Sequence, residues 1–234
     1  MAKVYTAAGH GGVDPGAVDG KGAGDALYTE EEDIALDVTL RLNAALVRCG
    51  ISVKTRRTGD TANPDKSKEL AARAAEANAW GATIYVEPHF NSGASTARGI
   101  ETLYWHTSTK GKDLAQKVQT QLETCSPWAD RGIKPRDNLY VLRATAMPAI
   151  IPEYGFISNT TEEQLVNDPA YRQRLAEATA KGICAYLKVP YKAPTAPAPA
   201  PAPAPPTPVP TPVPPAGWQV SSQNSNTIVL TKVG

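Results

Sequence analysis

The sequence predicts one α/β domain with a largely parallel sheet, followed by an extended linker and a short tail. Within residues 1–189, segments with strand composition alternate with segments of helical periodicity, a pattern typical of a layered α/β fold. After residue 189 the composition changes to proline and alanine. The 234 residues leave room for one sizeable domain and an appendage. We therefore divide the chain into a domain at 1–189, a linker at 190–216 and a tail at 217–234.

The elements of the domain follow from composition and from end signals. Strand composition is found at Lys3–Ala8, Ser52–Arg56, Thr83–Pro88, Gly99–Trp105, Leu139–Leu142 and Ala149–Tyr154. Helical periodicity is found at Glu31–Cys49, Ser67–Ala79, Lys112–Glu123 and Pro169–Leu187. Asp168 is predicted to cap the last helix with Pro169 at its first position, and Thr160–Glu163 to form a capping box before it. Ligands of parallel sheets bind beyond the carboxyl ends of the strands, so we expect the functional residues there.

The linker and the tail differ in what they can form. Residues 193–216 contain twelve prolines in 24 residues, which predicts an extended polyproline II spacer of roughly 70 Å. In the tail, Trp218–Ser221 and Thr227–Thr231 have strand composition and could pair as a hairpin. An isolated hairpin is marginal in water. The tail is therefore expected to be disordered or to order against a partner, as a wall-binding or oligomerisation segment.

Charge and composition exclude several classes of protein. The formal charge is +1 without clustered cations, which argues against nucleic acid as a partner. The three cysteines form no CxxC pair, so neither a disulfide framework nor a cysteine zinc site is indicated. No stretch approaches the ~20 apolar residues of a membrane span. The first residues lack the apolar region of a secretory leader, so we expect synthesis in the cytoplasm without a signal peptide.

Three residues with chemical side chains stand at predicted strand ends. His10 lies in a glycine-rich segment after the first strand, and His89 and Glu153 each follow a proline. Because proline is disfavoured inside a central strand, we predict that the strands end at His89 and Glu153. Two imidazoles and a carboxylate form the ligand set of a catalytic zinc with an open position for water. A further unligated carboxylate can move protons during attack on an amide.

The missing carboxylate ligand is expected within the run Glu30–Glu32. Helix phasing favours Glu31, which shares a face with the apolar residues Ile34, Val38, Leu42 and Ala45. A second apolar stripe lies opposite, formed by Leu36, Leu40 and Val47. Acidic residues at a helix N-terminus also interact well with the helix dipole without any further role. The residues alone therefore leave the choice open.

Other catalytic patterns are weak or missing in the sequence. The third histidine, His106, follows the strand Gly99–Trp105 and is expected at the rim or on the surface. No GxSxG nucleophile motif occurs. The glycines around His10 lack both the GxGxxG spacing and a Walker lysine, so a phosphate-binding loop is not indicated.

The chain resembles the zinc-dependent N-acetylmuramoyl-L-alanine amidases of the Amidase_3 family, cell-wall hydrolases that include many phage endolysins. The similarity covers about residues 4–187 and consists of ordered blocks: Gly9–Gly12, Asp14–Ala17, Glu31, Arg57–Asp60, Leu70–Arg73, Ala77–Asn78, His89–Asn91, Gly99–Glu101, Leu139–Arg143 and Pro148–Asn159. The resemblance implies a mixed, mainly parallel twisted sheet flanked by helices. It also implies that His10, Glu31 and His89 bind one zinc ion and that Glu153 is the catalytic carboxylate.

Two departures from the family pattern leave questions open. Ala7-Ala8 stand where the family usually has Asp-Pro, and Glu87-Pro88 stand where a small residue and an aliphatic usually precede the second histidine. In an extended strand Glu87 shares a face with His89. It could accept a hydrogen bond from that imidazole, compete for the metal, or be a solvated strand end. Asn91, or backbone N–H groups near Gly155, could help to hold the substrate.

The resemblance implies hydrolysis of the amide that joins N-acetylmuramic acid to L-alanine of the stem peptide. The expected partner is bacterial peptidoglycan, and the expected setting is a phage endolysin that a separate holin releases to the wall. Two alternatives remain. One is a zinc amidohydrolase or peptidase that acts on another wall peptide or N-acyl substrate, and the other is a wall-binding module without catalysis. The oligomeric state is not predicted.

Overall fold

The computed structural model describes residues 1–18 and 28–194, and two short strands at 218–223 and 228–232. The chain divides into two compact units, Met1–Pro194 and Thr195–Gly234. The first unit thus continues past the predicted boundary at residue 189. Most of the predicted linker lies outside the described residues.

A seven-stranded sheet forms the centre of the first unit. Its strands are β1 (Lys3–Thr6), β2 (Ser52–Thr55), β3 (Ile84–Val86), β4 (His89–Asn91), β5 (Ile100–Trp105), β6 (Asp130–Arg136) and β7 (Ala149–Phe156). The strand order is β2-β1-β3-β7-β5-β6, and β4 pairs with β7 beyond the end of β3. All pairs are parallel except β5 with β7. The predicted mixed, mainly parallel sheet is confirmed.

In the described part of the first unit, six helices cover the two faces of this sheet. They are α1 (Glu31–Arg48), α2 (Lys66–Trp80), α3 (Thr109–Glu123), α4 (Tyr140–Ala144), α5 (Thr160–Val166) and α6 (Pro169–Leu187). The larger apolar cluster joins α1, α3 and α6 to one face, and a smaller cluster joins α2 and α4 to the other. Among the described residues, no helix is both long and apolar enough to cross a membrane.

Helix ends agree with the sequence at α6 and differ by one residue at α5. The Asp168 side chain accepts a hydrogen bond from the Ala170 N–H, and Pro169 occupies the first helical position. At α5 the cap is Asn159, whose side chain accepts from the Glu162 N–H. The predicted box beginning at Thr160 was therefore wrong, because the residue before it already satisfies the free N–H group.

Two elements between β5 and β7 in the chain differ from the prediction. Leu139–Leu142 is not a strand, because residues 140–144 form α4 and bury Val141 and Leu142. A short apolar run does not distinguish a strand from a buried helical turn. β6 was missed, because Gly132 and Pro135 resemble a loop. It lies at the sheet edge, where proline is tolerated.

The strands do not end at His89 and Glu153 as predicted. His89 begins β4, and β7 continues through Glu153 to Phe156. The register shows why Pro152 is tolerated inside a central strand. Val86 of β3 pairs with Ile150 and His89 of β4 pairs with Glu153, so Pro152 faces the gap between those two strands. A residue without an N–H group costs no ladder hydrogen bond there.

The second unit contributes two described strands, β8 (Trp218–Gln223) and β9 (Ile228–Lys232). They pair antiparallel, with Val220 opposite Leu230. The residues between them lie outside the described part of the chain.

Candidate metal centre

Three predicted ligands meet where β1, β4 and α1 converge. His10 follows β1, Glu31 is the first residue of α1, and His89 begins β4. One ligand atom from each lies within 4.8 Å of the others. The Glu31 carboxylate bridges the two rings, with Oε2 3.0 Å from His10 Nε2 and Oε1 2.7 Å from His89 Nδ1. Segments far apart in sequence thus bring two nitrogens and one carboxylate together.

Glycine permits the close approach of these segments. A Cβ at Gly9 would lie 2.6 Å from His89 Cε1, and a Cβ at Gly16 would lie 2.6 Å from Glu31 Oε2. His10 itself has φ +59°, one of two positive values among the described non-glycine residues. A left-handed backbone costs a residue with a side chain about 1–2 kcal/mol. The surrounding contacts must therefore hold His10 in place.

The orientation of His10 depends on a residue that sequence reasoning did not assign. His10 Nδ1 lies 3.0 Å from Asp14 Oδ2, and Lys66 Nζ lies 3.1 Å from the same oxygen. With Nδ1 bonded to Asp14, Nε2 is the ring nitrogen that faces Glu31. The signal was present, because Asp14 follows His10 by four residues in the glycine-rich segment.

Glu31 is buried and is held as a carboxylate. Besides the two rings, Oε2 accepts from the Ala17 N–H at 2.9 Å and Oε1 accepts from the Phe90 N–H at 3.0 Å. Burial alone would raise the pKa of Glu31, but His89 and His10 lower it far below its usual value. For His89, burial would lower the pKa, and the carboxylates of Glu31 and Glu87 raise it well above its usual value.

Glu153 lies beside the ligands but outside their cluster. On β7 it pairs with His89 of β4 on one side and with Glu101 of β5 on the other. Its Oε2 is buried without a hydrogen-bond partner among the described residues. Burial, reinforced by Glu31 and Glu101, raises the pKa of Glu153 to about 8, against the opposing effect of His89 and Arg136. A carboxyl group with such a pKa can take up and release a proton near neutral pH.

Glu87 is buried rather than solvated, since only 1% of it is exposed. Its Oε1 lies 3.1 Å from His89 Nε2 and accepts from Arg73 Nη1 at 2.7 Å, and its Oε2 accepts from the Tyr85 hydroxyl. Of the three alternatives for Glu87, the solvated strand end is therefore excluded. Burial would raise the pKa of Glu87, but Arg73 and then His89 lower it to about 2.

The two candidate substrate contacts lie in different places. Asn91 lines the cleft, and its Nδ2 donates to Glu101 Oε1 at 3.2 Å. Gly155 is not among the residues that line the cleft. A Cβ built on Gly155 would instead lie 3.2 Å from the Glu162 carboxylate. The next N–H group, of Phe156, donates to the same carboxylate at 2.6 Å. The structure therefore does not support a substrate contact at Gly155.

A cleft of about 370 Å³ opens beside the site on the α2 and α4 face of the sheet. It contains all four predicted catalytic and ligand residues, His10, Glu31, His89 and Glu153. Its apolar wall consists of Leu70, Leu103, Leu139, Tyr140, Val141 and Ile151. His106 lies outside the cleft, exposed and in edge-to-face contact with Trp105 at the far end of β5. A bound substrate would thus meet polar groups at one end of the cleft and an apolar wall along it.

The fold and the site together define an α/β domain with a candidate metal centre of the kind that metal-dependent hydrolases use. The N-acetylmuramoyl-L-alanine amidase family, Amidase_3, matches residues 4–185, and the chain belongs to this family. Its relatives and structural neighbours include N-acetylmuramoyl-L-alanine amidases, and the chain is a peptidoglycan amidase.

Individual proteins show the extent of this similarity. The chain is 35% identical over 186 residues to the uncharacterized protein YqiI of Bacillus subtilis (strain 168), covering 78% of this chain and 84% of that protein. It is 32% identical over 186 residues to the sporulation-specific N-acetylmuramoyl-L-alanine amidase of the same strain, covering 78% and 67%. The catalytic domain of the CwlV amidase from Bacillus (Paenibacillus) polymyxa var. colistinus superposes with a TM-score of 0.73 at 32% identity, covering 81% of this chain and 100% of that domain.

Proposed function

We propose that this amidase is zinc-dependent and hydrolyses the amide between the lactyl group of N-acetylmuramic acid and L-alanine of the stem peptide. The observation that carries the proposal is the convergence of His10, Glu31 and His89 within 4.8 Å, beside Glu153. Family membership supports the identity of the bond, and the donor set supports the metal.

The donor chemistry of the site fits a zinc ion. Zinc in hydrolases takes three nitrogen and oxygen ligands and keeps a position for water. Asp14 occupies the other nitrogen of His10, and Glu87 occupies the other nitrogen of His89. Each ring therefore offers one nitrogen to a metal, and Glu31 adds a negative charge. A bound zinc ion would polarise the scissile carbonyl and make its bound water more acidic.

The chain's own residues would move the protons and position the substrate. The Glu153 carboxylate would take a proton from the attacking water and pass it to the leaving amine of L-alanine. Its place in β7, fixed by strands on both sides, holds the carboxyl group beside the ligands. Asn91 lines the same cleft and offers an amide for substrate contact. The apolar wall excludes water from one side of the scissile bond.

Metal analysis and turbidity clearing test the assigned roles. We expect His10→Ala and His89→Ala to lose bound zinc, because each removes one of three ligands. Glu153→Ala should retain zinc and lose lysis of cell walls, because it removes only the proton carrier. Unchanged zinc content in the histidine variants would remove those residues from the ligand set. Undiminished clearing by Glu153→Ala would refute its proposed role.

The new end group tests the proposed bond. An amidase frees the amino terminus of L-alanine, whereas an endopeptidase frees amino groups between residues of the stem peptide. Mass spectrometry of digested wall fragments distinguishes the two. Products that retain the muramoyl–alanine link would favour the alternative, a zinc hydrolase of another wall peptide or N-acyl substrate.

The biological setting is a finer proposal, in which the chain acts as a phage-type endolysin made in the host cytoplasm and released by a holin. Its test is expression in a host with and without a separate holin. Lysis only with the holin would support this setting, and lysis at the same time without the holin would contradict this setting.

The tail is proposed to attach the enzyme to the wall. Removing residues 195–234 should then weaken binding to intact cells while hydrolysis of soluble fragments continues, and equal binding would argue against that role.

A further inference from the structure

One buried arginine connects the surroundings of both histidine ligands. Arg73, on α2, is 3% exposed. Its Nη2 donates to the His10 carbonyl at 2.8 Å, and its Nη1 donates to Glu87 at 2.7 Å. Its Nε donates to Glu69 at 3.2 Å. A planar guanidinium presents these donors in a fixed arrangement, which a lysine does not reproduce.

On the first side, Arg73 fixes the backbone of His10. This residue has φ +59°, so its conformation depends on its neighbours. Arg73 bonds the His10 carbonyl, and Arg57 Nη2 bonds the preceding Gly9 carbonyl at 2.9 Å. The strained peptide is therefore held at two consecutive carbonyl groups.

On the second side, Arg73 makes it possible for Glu87 to orient His89. Glu87 lies 1% exposed between Arg73 and the His89 ring, and a buried carboxylate without a cation beside it would be strongly disfavoured. With Nε2 of His89 donating to Glu87, Nδ1 is the nitrogen that faces Glu31, at 2.7 Å. His10 has the opposite arrangement, with Nδ1 on Asp14 and Nε2 toward Glu31.

We propose that Arg73 and Glu87 are a positioning pair for zinc. Glu87 orients His89 to bind through Nδ1, and Arg73 holds the backbone of His10, whose contact with Asp14 leaves Nε2 for the metal. Arg73 bonds the backbone of His10, Glu87 lies beside the ring of His89, and the two side chains bond each other. This inference rests on the proposed zinc site. It adds how the site selects one nitrogen from each ring.

A purely structural role for the same network provides the control. Arg56 belongs to it, since it bonds Glu69 twice at 3.1 Å and also pairs with Glu76, but it contacts neither histidine. Arg56→Met therefore removes half-buried ion pairs of the network and leaves the positioning pair in place. If the network only stabilises the fold, Arg56→Met and changes at Arg73 should have the same consequences.

The experiment uses the full chain and zinc alone, with the dissociation constant measured by competition against a chromophoric chelator. The variants are Glu87→Gln, Arg73→Lys, the double variant Arg73→Met/Glu87→Met, and Arg56→Met. The double variant removes both charges together, so that neither stays buried and unpaired. We expect a roughly 10–100-fold weaker zinc affinity in Glu87→Gln and in the double variant, as for other groups that orient metal ligands. Arg73→Lys should fall between these variants and the wild type, and Arg56→Met should stay within about twofold of wild type.

Nitrogen-15 NMR of the zinc-bound histidines gives the second measurement, which a structural role would not change. In the wild type the metal-bound nitrogen should be Nδ1 for His89 and Nε2 for His10, and Glu87→Gln should weaken or lose the protected Nε2–H signal of His89. Coordination of His89 through Nε2 in the wild type would overturn the inference. Wild-type affinity in the double variant, or an equal loss in Arg56→Met, would also overturn it. If the wild type binds no zinc, the proposed function itself fails, which separates the two results.

Discussion

Gly16 offers the sharpest test of how closely the chain packs around the ligands. It has φ +74°, and a Cβ built there would lie 2.6 Å from Glu31 Oε2 and 2.6 Å from His10 Cδ2. Carbon atoms of real side chains do not approach other atoms so closely, so both ligands must move in Gly16→Ala. We predict that this variant folds but binds zinc poorly, because the groups displaced are the ligands themselves.

The magnitude follows from comparison with Gly50, which has φ +79° and nothing within 4 Å of a built Cβ. In both variants an alanine at positive φ should cost about 1–2 kcal/mol of stability. At a free zinc concentration one hundred times the dissociation constant, zinc should stabilise the wild type by about 2.7 kcal/mol. A site weakened a hundredfold would retain only about 0.4 kcal/mol at the same zinc concentration.

Urea unfolding with and without zinc measures both quantities. Gly50→Ala should unfold more easily in both conditions and keep the full zinc-dependent gain. Gly16→Ala should lose more than Gly50→Ala without zinc, because displacing the two side chains adds a packing cost, and it should also lose most of the zinc-dependent gain. The reasoning would be refuted if Gly16→Ala kept the full zinc-dependent gain, or if Gly50→Ala lost it to the same extent.

Three further predictions concern carboxyl groups. Glu153→Gln should bind zinc as the wild type does and lose roughly 10²–10⁴-fold in turnover, and wild-type turnover would contradict its role. Glu101→Gln removes a charge that raises the pKa of Glu153, so the acid limb of the pH profile of kcat/KM should move to lower pH. Arg136→Gln removes a charge that lowers this pKa, so the same limb should move to higher pH. Equal shifts in both variants would contradict this assignment. Glu69 and Glu87 have pKa values of about 2, below their usual value of 4.5. The stability that these two carboxylates give is therefore present above pH 4.5 and is lost toward pH 2. Urea midpoints of the metal-free protein that stay constant over this pH range would contradict the prediction.

Much of the fold could be predicted because strand and helix signals are local. β1 and β2 lie within their predicted ranges, and α6 has its predicted bounds. The rule that ligands bind at carboxyl ends of parallel strands placed His10 and His89 at one edge before any contact was known. Helix phasing alone could not choose among Glu30–Glu32, because Glu32 is also buried in the structure.

The wrong elements have a common physical origin, which is tertiary context. Pro152 suggested a strand end, but the gap between β3 and β4 removes the cost of its missing N–H group. No strand was predicted over residues 130–136, where Gly132 and Pro135 are residues typical of loops, but the edge of a sheet accepts both. In each case the local sequence indicates the preference of the residue itself but does not indicate which strands lie beside it.

The same argument explains why the residues around the site could not be predicted as its candidate ligands could. Glu87 and His89 are two residues apart, so strand geometry alone placed them on one face. Arg73 lies 63 residues from His10, and no local pattern joins them. Candidate metal ligands can be recognised from the sequence because imidazole and carboxylate groups can bind a metal wherever they lie in the chain. The groups that orient ligands are common arginines and glutamates, whose role depends on what they touch. The pairing that converts Glu87 from a costly buried charge into a hydrogen-bond acceptor for His89 therefore exists only in the folded chain.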